Sequence, residues 1–350
     1  MLSSMPERPP DTPLLDWLTD GEHFHVSITG APAGHLPFKG TWMKSMALGR
    51  GNNGQALLAC GGSDPEVRLC EPDPGKPVWK SLVGHDGKVT SVAFGHGTKG
   101  QALLASGGSD GTVRLWDPDD GRPVGEPLIA HKTVNTVAFG TGAEGRVLLA
   151  SGGHDETEGR SWLVHGSVRL WDRGDGRPVG EPLIGQGVVH SLAFGPGARG
   201  RVLLAAGGYN GIWLWDPDDG TLVGQPLTGH EGGVDSVAFV TGAGGQLLLA
   251  SAGRDRTVRL WDPLAGVQLM LIRRRVPVAA LTSDESILAI GDSEGLTVID
   301  TSACGRQGRD VLRRGHRSSP NHSSLVLRVA NWMKLLTALD AVKTRKRNRR

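Results

Sequence analysis

Short apolar segments recur along the chain, separated by turns rich in glycine and aspartate. The clearest unit spans residues 84–128 and contains VTSVAF, ALLAS, TVRLW and PVGEPL in that order. The first segment alternates between apolar and polar positions, the second is continuously apolar, and none has the period of an amphipathic helix. SDG and PDDG between the segments predict tight turns, and the prolines of the last segment are typical of an edge strand. The pattern therefore predicts four short antiparallel strands in each unit.

The unit is repeated along most of the chain. A Trp-Asp pair ends the third segment at Trp116, Trp171, Trp215 and Trp261. Cys70-Glu71 is a degenerate copy of this pair. These positions are 44 to 46 residues apart, except for one interval of 55. A fixed period of this length indicates a supersecondary unit stacked on itself. Four antiparallel strands repeated radially are the blades of a β-propeller, which makes an all-β fold the prediction.

Specific residues within the unit resemble the WD-repeat β-propeller family. They are the Gly84-His85 pair and the run LLASGGSDGTVRLWD, and the resemblance is clear from about Gln55 to Asp300. In that family a His, a Ser or Thr, an Asp and the Trp form a hydrogen-bonded structural tetrad in each blade. The resemblance implies three such tetrads, which are His85, Ser106, Asp110 and Trp116; His131, Ser151, Asp155 and Trp171; and His230, Ser251, Asp255 and Trp261.

Two units depart from the tetrad pattern. The unit ending at Trp215 has Gln186, Ala206 and Asn210 at the other three positions, and the unit ending at Cys70 keeps Asp64 but lacks the Trp. We expect packing to hold these two units together more than hydrogen bonding does.

The number of blades depends on how the ring closes. We predict a single propeller over residues 1–330, with six blades centred on 70, 116, 171, 215, 261 and 299. A seventh would be shared between strands at 14–34 and an inner strand at 325–330. The alternative is a six-bladed ring with an N-terminal cap and a C-terminal tail. Residues 331–350 are predicted to form a short amphipathic helix followed by a basic tail.

Several motifs suggest chemistry but fit structural roles better. GxGxxG occurs at 49–54, 95–100, 140–145 and 195–200, yet a strand follows each copy, where a dinucleotide site needs a helix. His, Ser and Asp recur three times at the repeat period, whereas a catalytic triad would occur once. The PDDG turns lack a complete calcium loop and are expected to be solvated, and His23 and His25 lack further metal ligands. The sequence predicts no catalytic, cofactor or metal site, so the protein is expected not to be an enzyme.

Repetition also shows which positions vary while the framework stays constant. Next to the tetrad these are Ser63, Ser109, His154, Tyr209 and Arg254 in the GGxD turns, and Thr90, Asn135, His190 and Asp235 at the start of the inner strand. Variable side chains on one face of a rigid scaffold are typical of a binding surface, although unconstrained surface positions also drift. The 55-residue interval contains an insertion, ETEGRSWLVH, which is expected to replace a tight turn and to project from the same face. Its residues Arg160, Trp162 and Leu163 are candidate anchors for a partner. Alternatively, the loop folds back and buries Trp162.

Charge and cysteine content complete the prediction. The net charge is +2, but Lys343 to Arg350 contribute six basic residues, which leaves 32 basic and 36 acidic residues elsewhere. Cys60, Cys70 and Cys304 show no paired spacing, and no apolar leader or long apolar run is evident, so we expect a cytoplasmic monomer. The predicted function is a protein-interaction scaffold or sensor. The alternative is a nucleic-acid- or anionic-membrane-associated factor recruited through the basic tail.

Overall fold

The computed structural model describes residues 43–71, 79–156, 164–173, 176–185, 187–197, 201–209, 211–275, 278–284, 287–292, 295–301 and 304. This part of the chain is all-β, with short 3-10 turns at Ala143–Gly145 and Ala243–Gly245 and no α-helix. Within these ranges there is no helix that is both long and apolar enough to cross a membrane. The predicted strands at 14–34 and 325–330, His23 and His25, the tail helix and Lys343 to Arg350 lie outside the described residues.

The described strands form six successive antiparallel sheets, and each sheet is made of strands consecutive in sequence. Sheets 1 and 2 contain β1 (Met43–Arg50), β2 (Ala56–Gly62), β3 (Glu66–Cys70) and β4 (Trp79–Val83), then β5 (Val89–His96), β6 (Ala102–Gly108), β7 (Thr112–Trp116) and β8 (Leu128–Ile129). Sheets 3 and 4 contain β9 (Thr133–Thr141), β10 (Val147–Glu156), β11 (Val164–His165), β12 (Ser167–Asp172) and β13 (Leu183–Ile184), then β14 (Val189–Pro196), β15 (Val202–Gly208) and β16 (Gly211–Trp215). Sheets 5 and 6 contain β17 (Val234–Thr241), β18 (Leu247–Gly253), β19 (Thr257–Asp262) and β20 (Val267–Arg273), then β21 (Val278–Asp284), β22 (Ile287–Asp292) and β23 (Gly295–Asp300).

The apolar core lies between successive sheets and not on one side of a single sheet. Five clusters of buried side chains each combine residues of two neighbouring sheets, from sheets 1 and 2 through to sheets 5 and 6. The second strand of a sheet is therefore covered on both faces, and every side chain of β6 is buried. This explains why the second strands are continuously apolar while the first strands alternate. The prediction of all-β, propeller-like antiparallel sheets is confirmed.

Serine hydroxyls join the first strands of neighbouring sheets. The register of β5 against β6 shifts between Val89 and Ser91, and the Ser91 hydroxyl accepts a hydrogen bond from the Val137 N–H at 3.1 Å. The same bond links Ser45 to Val92, Ser191 to Val237, and Ser236 to Leu281. A β-bulge re-aims a side chain, and here it points the serine at the next sheet.

Two local predictions need correction. The fourth strand of sheet 2 is not Pro123 to Leu128 but the pair Leu128–Ile129, with one isolated bridge between Trp116 and Pro123. Prolines at 123 and 127 have no N–H to donate, so the ladder is interrupted there. The insertion does not replace a tight turn in full, because β10 continues to Glu156 and pairs with β11 as a two-stranded ribbon.

The PDDG turns are not simply solvated. The Asp119 carboxylate of sheet 2 accepts hydrogen bonds from the Asn52 backbone and side chain and from the Gln55 amide of sheet 1, at 2.7 to 3.2 Å. Asp218 of sheet 4 accepts the Ala143 N–H of sheet 3 at 2.8 and 2.9 Å. These carboxylates connect neighbouring sheets at the hairpins between first and second strands. Among the described residues, no three or more His, Cys, Asp or Glu are grouped as a metal site.

Candidate protein-interaction site

The sheet 2 tetrad forms a continuous hydrogen-bonded chain. The Trp116 indole donates to the Ser106 hydroxyl at 2.9 Å, and that hydroxyl lies 2.8 Å from Nε2 of His85. Nδ1 of His85 lies 2.9 Å from the Asp110 carboxylate, which also accepts the Asp86 N–H at 3.0 Å. All bonds are satisfied when the Ser donates to Nε2 and the neutral imidazole donates from Nδ1. The chain ties β6, β7 and the segment before β5 together.

The other two tetrads differ in the lengths of their hydrogen bonds. In sheet 5, Ser251 lies 2.8 Å from both the Trp261 indole nitrogen and Nε2 of His230. In sheet 3 the corresponding distances from Ser151 are 3.2 Å and 3.1 Å, and His131 lies 3.4 Å from Asp155. Asp155 stands in the extended β10 instead of a tight turn, which accounts for its displacement from His131.

Burial sets the protonation of the tight tetrads. Desolvation lowers the pKa of His85 and of His230, so both imidazoles are neutral near pH 7. Burial alone would raise the pKa of Asp255, but hydrogen bonds from His230, Thr257 and the Glu231 N–H lower it to about 2. Ser106 and Ser251 have no exposed surface, and each hydroxyl is engaged with an indole and an imidazole. The arrangement therefore suits a structural role and not attack on a substrate.

Sheet 4 carries an aromatic side chain, Trp213, at the repeat position of Arg114, which the sequence analysis did not single out. Ala206 stands at the serine position, while Gln186 and Asn210 lie outside the described residues. A Cβ added at Gly208 would lie 2.7 Å from the Val188 carbonyl oxygen and 3.8 Å from the Trp213 ring, whereas one added at the equivalent Gly108 of sheet 2 would overlap the His85 ring. Trp213 is 8% exposed and packs in the core between sheets 3 and 4. The sequence feature that could have identified Trp213 is IWLW on the third strand, where other units have VRLW.

Four of the variable positions come together between sheets 4 and 5, as the Tyr209 cluster (His190, Tyr209, Asp235 and Arg254). The Arg254 guanidinium lies 5.0 Å from the centre of the Tyr209 ring and donates to its hydroxyl at 2.8 Å. Arg254 also donates to Asp235 at 3.0 Å. The His190 ring meets Tyr209 edge-on, with centroids 5.1 Å apart. Two turns and two strand starts thus contribute to one organised surface.

This cluster combines exposed and buried recognition groups. Tyr209 is 46% exposed, whereas Nε2 of His190 is buried and has no hydrogen-bond partner among the described residues. Burial lowers the pKa of His190, and the charge of Arg254 lowers it further against the opposing charge of Asp235, which keeps the imidazole neutral near pH 7. The cluster presents an aromatic ring, a guanidinium and an imidazole, which are groups that bind protein side chains.

The remaining variable positions serve other contacts or fall outside the described residues. Ser109 accepts the Lys88 N–H at 2.8 Å, and the Thr90 hydroxyl lies 2.5 Å from the Val134 carbonyl of the next sheet. Asn135 donates to the Val189 carbonyl at 3.0 Å, also across a sheet boundary. Arg160, Trp162 and Leu163 lie outside the described residues. The position of a residue in the repeat therefore does not predict whether its side chain is exposed for binding or forms a hydrogen bond to the neighbouring sheet.

The glycines of GxGxxG have packing roles in the hairpins. A Cβ added at Gly95 would overlap the Phe139 ring of the next sheet, and Gly49, Gly140 and Gly195 meet Phe94, Phe194 and Phe239 in the same way. In the three copies whose last glycine is described, that glycine has a positive φ, which is +74° at Gly54, +76° at Gly100 and +75° at Gly145. The first strands of all six sheets line a cavity of about 690 Å³, and these phenylalanines contribute to its wall.

Comparison with known families agrees with the residues and the fold. The family model "WD domain, G-beta repeat" matches residues 75–117 and 220–262. These two matches confirm the resemblance to the WD-repeat family. The two matched segments contain the tight tetrads of sheets 2 and 5. A search of curated proteins finds no significant match.

Proposed function

We propose that this protein is a non-catalytic scaffold or sensor that binds a protein partner over the Tyr209 cluster. WD repeats generally mediate protein–protein interactions and are typically non-enzymatic. The proposal rests chiefly on the arrangement of Arg254. Its guanidinium lies over the half-exposed Tyr209 ring and donates a hydrogen bond to Asp235. Tyrosine and arginine dominate the binding energy of many interfaces.

The contacts within the cluster also favour binding energetically. Immobilising a flexible side chain on association costs about 0.5–1.5 kcal/mol. Arg254 is already held by Tyr209 and Asp235, so much of that cost is met before a partner arrives.

Partner capture from native lysate, read by mass spectrometry, tests this site. The double variant Tyr209→Ala/Arg254→Ala is compared with the wild type and with Arg122→Ala, which changes an exposed arginine far along the chain in the β7–β8 turn. A partner bound through the cluster should lose affinity by about 30-fold, or ~2 kcal/mol, in the double variant only. Retention of every partner by the double variant would show that the function lies elsewhere.

We further propose that the protein is a cytoplasmic monomer whose ring has seven blades. Support comes from the strand-like segments at 14–34 and 325–330, which complement each other as parts of one blade. Deletion of residues 1–40 should then lower the melting temperature. An unchanged melting temperature would instead favour six blades with an N-terminal cap.

A second candidate function uses the basic tail. Lys343 to Arg350 contain six basic residues and no acidic one, a composition that attracts nucleic acid or anionic lipid. Such binding should collapse as salt rises and should disappear in a chain ending at Val342. Binding to the Tyr209 cluster should survive both changes.

A further inference from the structure

The outer strand of sheet 5 is longer than the other described fourth strands, and the next in length is the five-residue, lysine-containing β4 of sheet 1. β8 and β13 each pair over two residues, and prolines interrupt the segments before them. In sheet 4 the outer segment is reduced to isolated bridges at Leu222 and Leu227. β20, by contrast, is a seven-residue strand, VQLMLIR, without proline or lysine. Proline and lysine are among the devices that protect sheet edges, and β20 has neither, although its pairing with β19 shifts register between Leu260 and Trp261.

The register shows which backbone groups of β20 face its open edge. Arg274 N–H donates to Arg256 C=O across the ladder at 2.8 Å. In an antiparallel pair, hydrogen-bonded and non-hydrogen-bonded positions alternate. Leu271 and Arg273, which lie opposite Arg259 and Thr257, are therefore non-hydrogen-bonded positions whose N–H and C=O groups point away from β19. This outer edge is unpaired among the described residues.

The side chains add a charge preference to this edge. Leu271 is 36% exposed, while Leu269, Met270 and Ile272 pack towards the core between sheets 5 and 6 and keep the strand in place. Arg273 and Arg275 are exposed and form no ion pair with other described residues. The strand therefore ends in a locally positive surface.

We propose that β20 is a docking edge for an extended acidic segment of a partner protein. The segment would add a strand to sheet 5, pairing its backbone with the outward groups of Leu271 and Arg273 and placing carboxylates against Arg273 and Arg275. Backbone pairing would supply affinity, and the arginines would select acidic sequences. The Tyr209 cluster takes no part in this docking, so binding at β20 and binding at the Tyr209 cluster can be tested independently.

Fluorescence anisotropy with the full chain tests this edge. The probe is a labelled peptide, Glu-Asp-Glu-Val-Thr-Val-Thr-Val, and the control probe carries lysine in place of its acidic residues. Leu271→Pro removes an outward N–H without removing a ladder bond, and Leu271→Ala keeps that N–H. We expect saturable binding of the acidic probe only, weakened at least tenfold by Leu271→Pro and by Arg273→Ala/Arg275→Ala. Leu271→Ala should change the affinity less than threefold.

Other outcomes would overturn the proposal. These are no saturable binding of the acidic probe, equal binding of the lysine probe, or equal affinity of the Leu271→Pro and Leu271→Ala variants. A wild-type dimer that Leu271→Pro dissociates in sedimentation would assign the edge to a second copy of the chain instead. If Leu271→Pro does not fold, backbone N-methylation of the probe applies the same test to the wild-type protein, and unchanged affinity of the methylated probe would contradict strand addition.

Discussion

Replacing the central serine of a tight tetrad should destabilise the protein strongly. In Ser251→Ala the Trp261 indole N–H loses its acceptor and Nε2 of His230 loses its donor, each of which lies 2.8 Å from the hydroxyl. Ser251 has no exposed surface and Trp261 is 3% exposed, so water cannot easily replace the lost bonds. A buried polar group without a partner costs about 1–3 kcal/mol. With two such groups, we expect a loss of about 3 kcal/mol in the free energy of unfolding.

Urea denaturation followed by tryptophan fluorescence measures this loss. At an m-value of about 3 kcal/mol/M, the midpoint should fall by about 1 M. Ser81→Ala is the matched control, because Ser81 is exposed on β4 and loses only a solvent-exposed hydrogen bond from Arg68, which should cost less than about 0.5 kcal/mol. Ser151→Ala should lie between the two, since its hydrogen bonds are longer. A Ser251→Ala midpoint equal to that of Ser81→Ala would refute the assigned role of the tetrad.

Three further predictions concern pH and packing. Because burial lowers the folded-state pKa of His85 and His230 below 6.5, the unfolded chain binds more protons below that pH, and thermal stability should fall as pH drops from 7.5 to 5. Gly140→Ala places a methyl group against the Phe194 ring and should cost about 1–3 kcal/mol by urea denaturation. Asp119→Ala removes the bonds between sheets 1 and 2 and should cost about 1 kcal/mol, also by urea denaturation.

Each of these predictions has an internal control. The double variant His85→Gln/His230→Gln should show a shallower fall in stability with pH, and an identical slope would contradict the protonation argument. Thr141→Ala changes the exposed neighbour of Gly140 and should be nearly neutral. Asp120→Ala alters the same turn as Asp119 without touching sheet 1, so equal losses from both aspartates would argue against the link between sheets.

Much of the fold could be predicted because its signals are local or repeated. Alternation in VTSVAF and the apolar run ALLAS correspond to β5 and β6, and the Trp-Asp positions mark the third strands. The outer strands were harder to predict, since Pro123 and Pro127 leave only a pair of residues in β8. Whether a carboxylate such as Asp119 is solvated depends on the neighbouring sheet, which the turn sequence does not describe.

The sequence by itself determined the repeated four-stranded unit and the set of variable side chains, because these follow from period and residue type, while the tetrad positions followed from the family resemblance. Only the tertiary structure decided which variable side chains meet. Tyr209 and Arg254 are 45 residues apart and belong to different sheets, yet they share a hydrogen bond. Thr90 and Asn135, at equivalent repeat positions to Asp235, bond backbone carbonyls of the next sheet instead. Such differences arise from the distance and twist between packed sheets, which spacing along the chain does not specify.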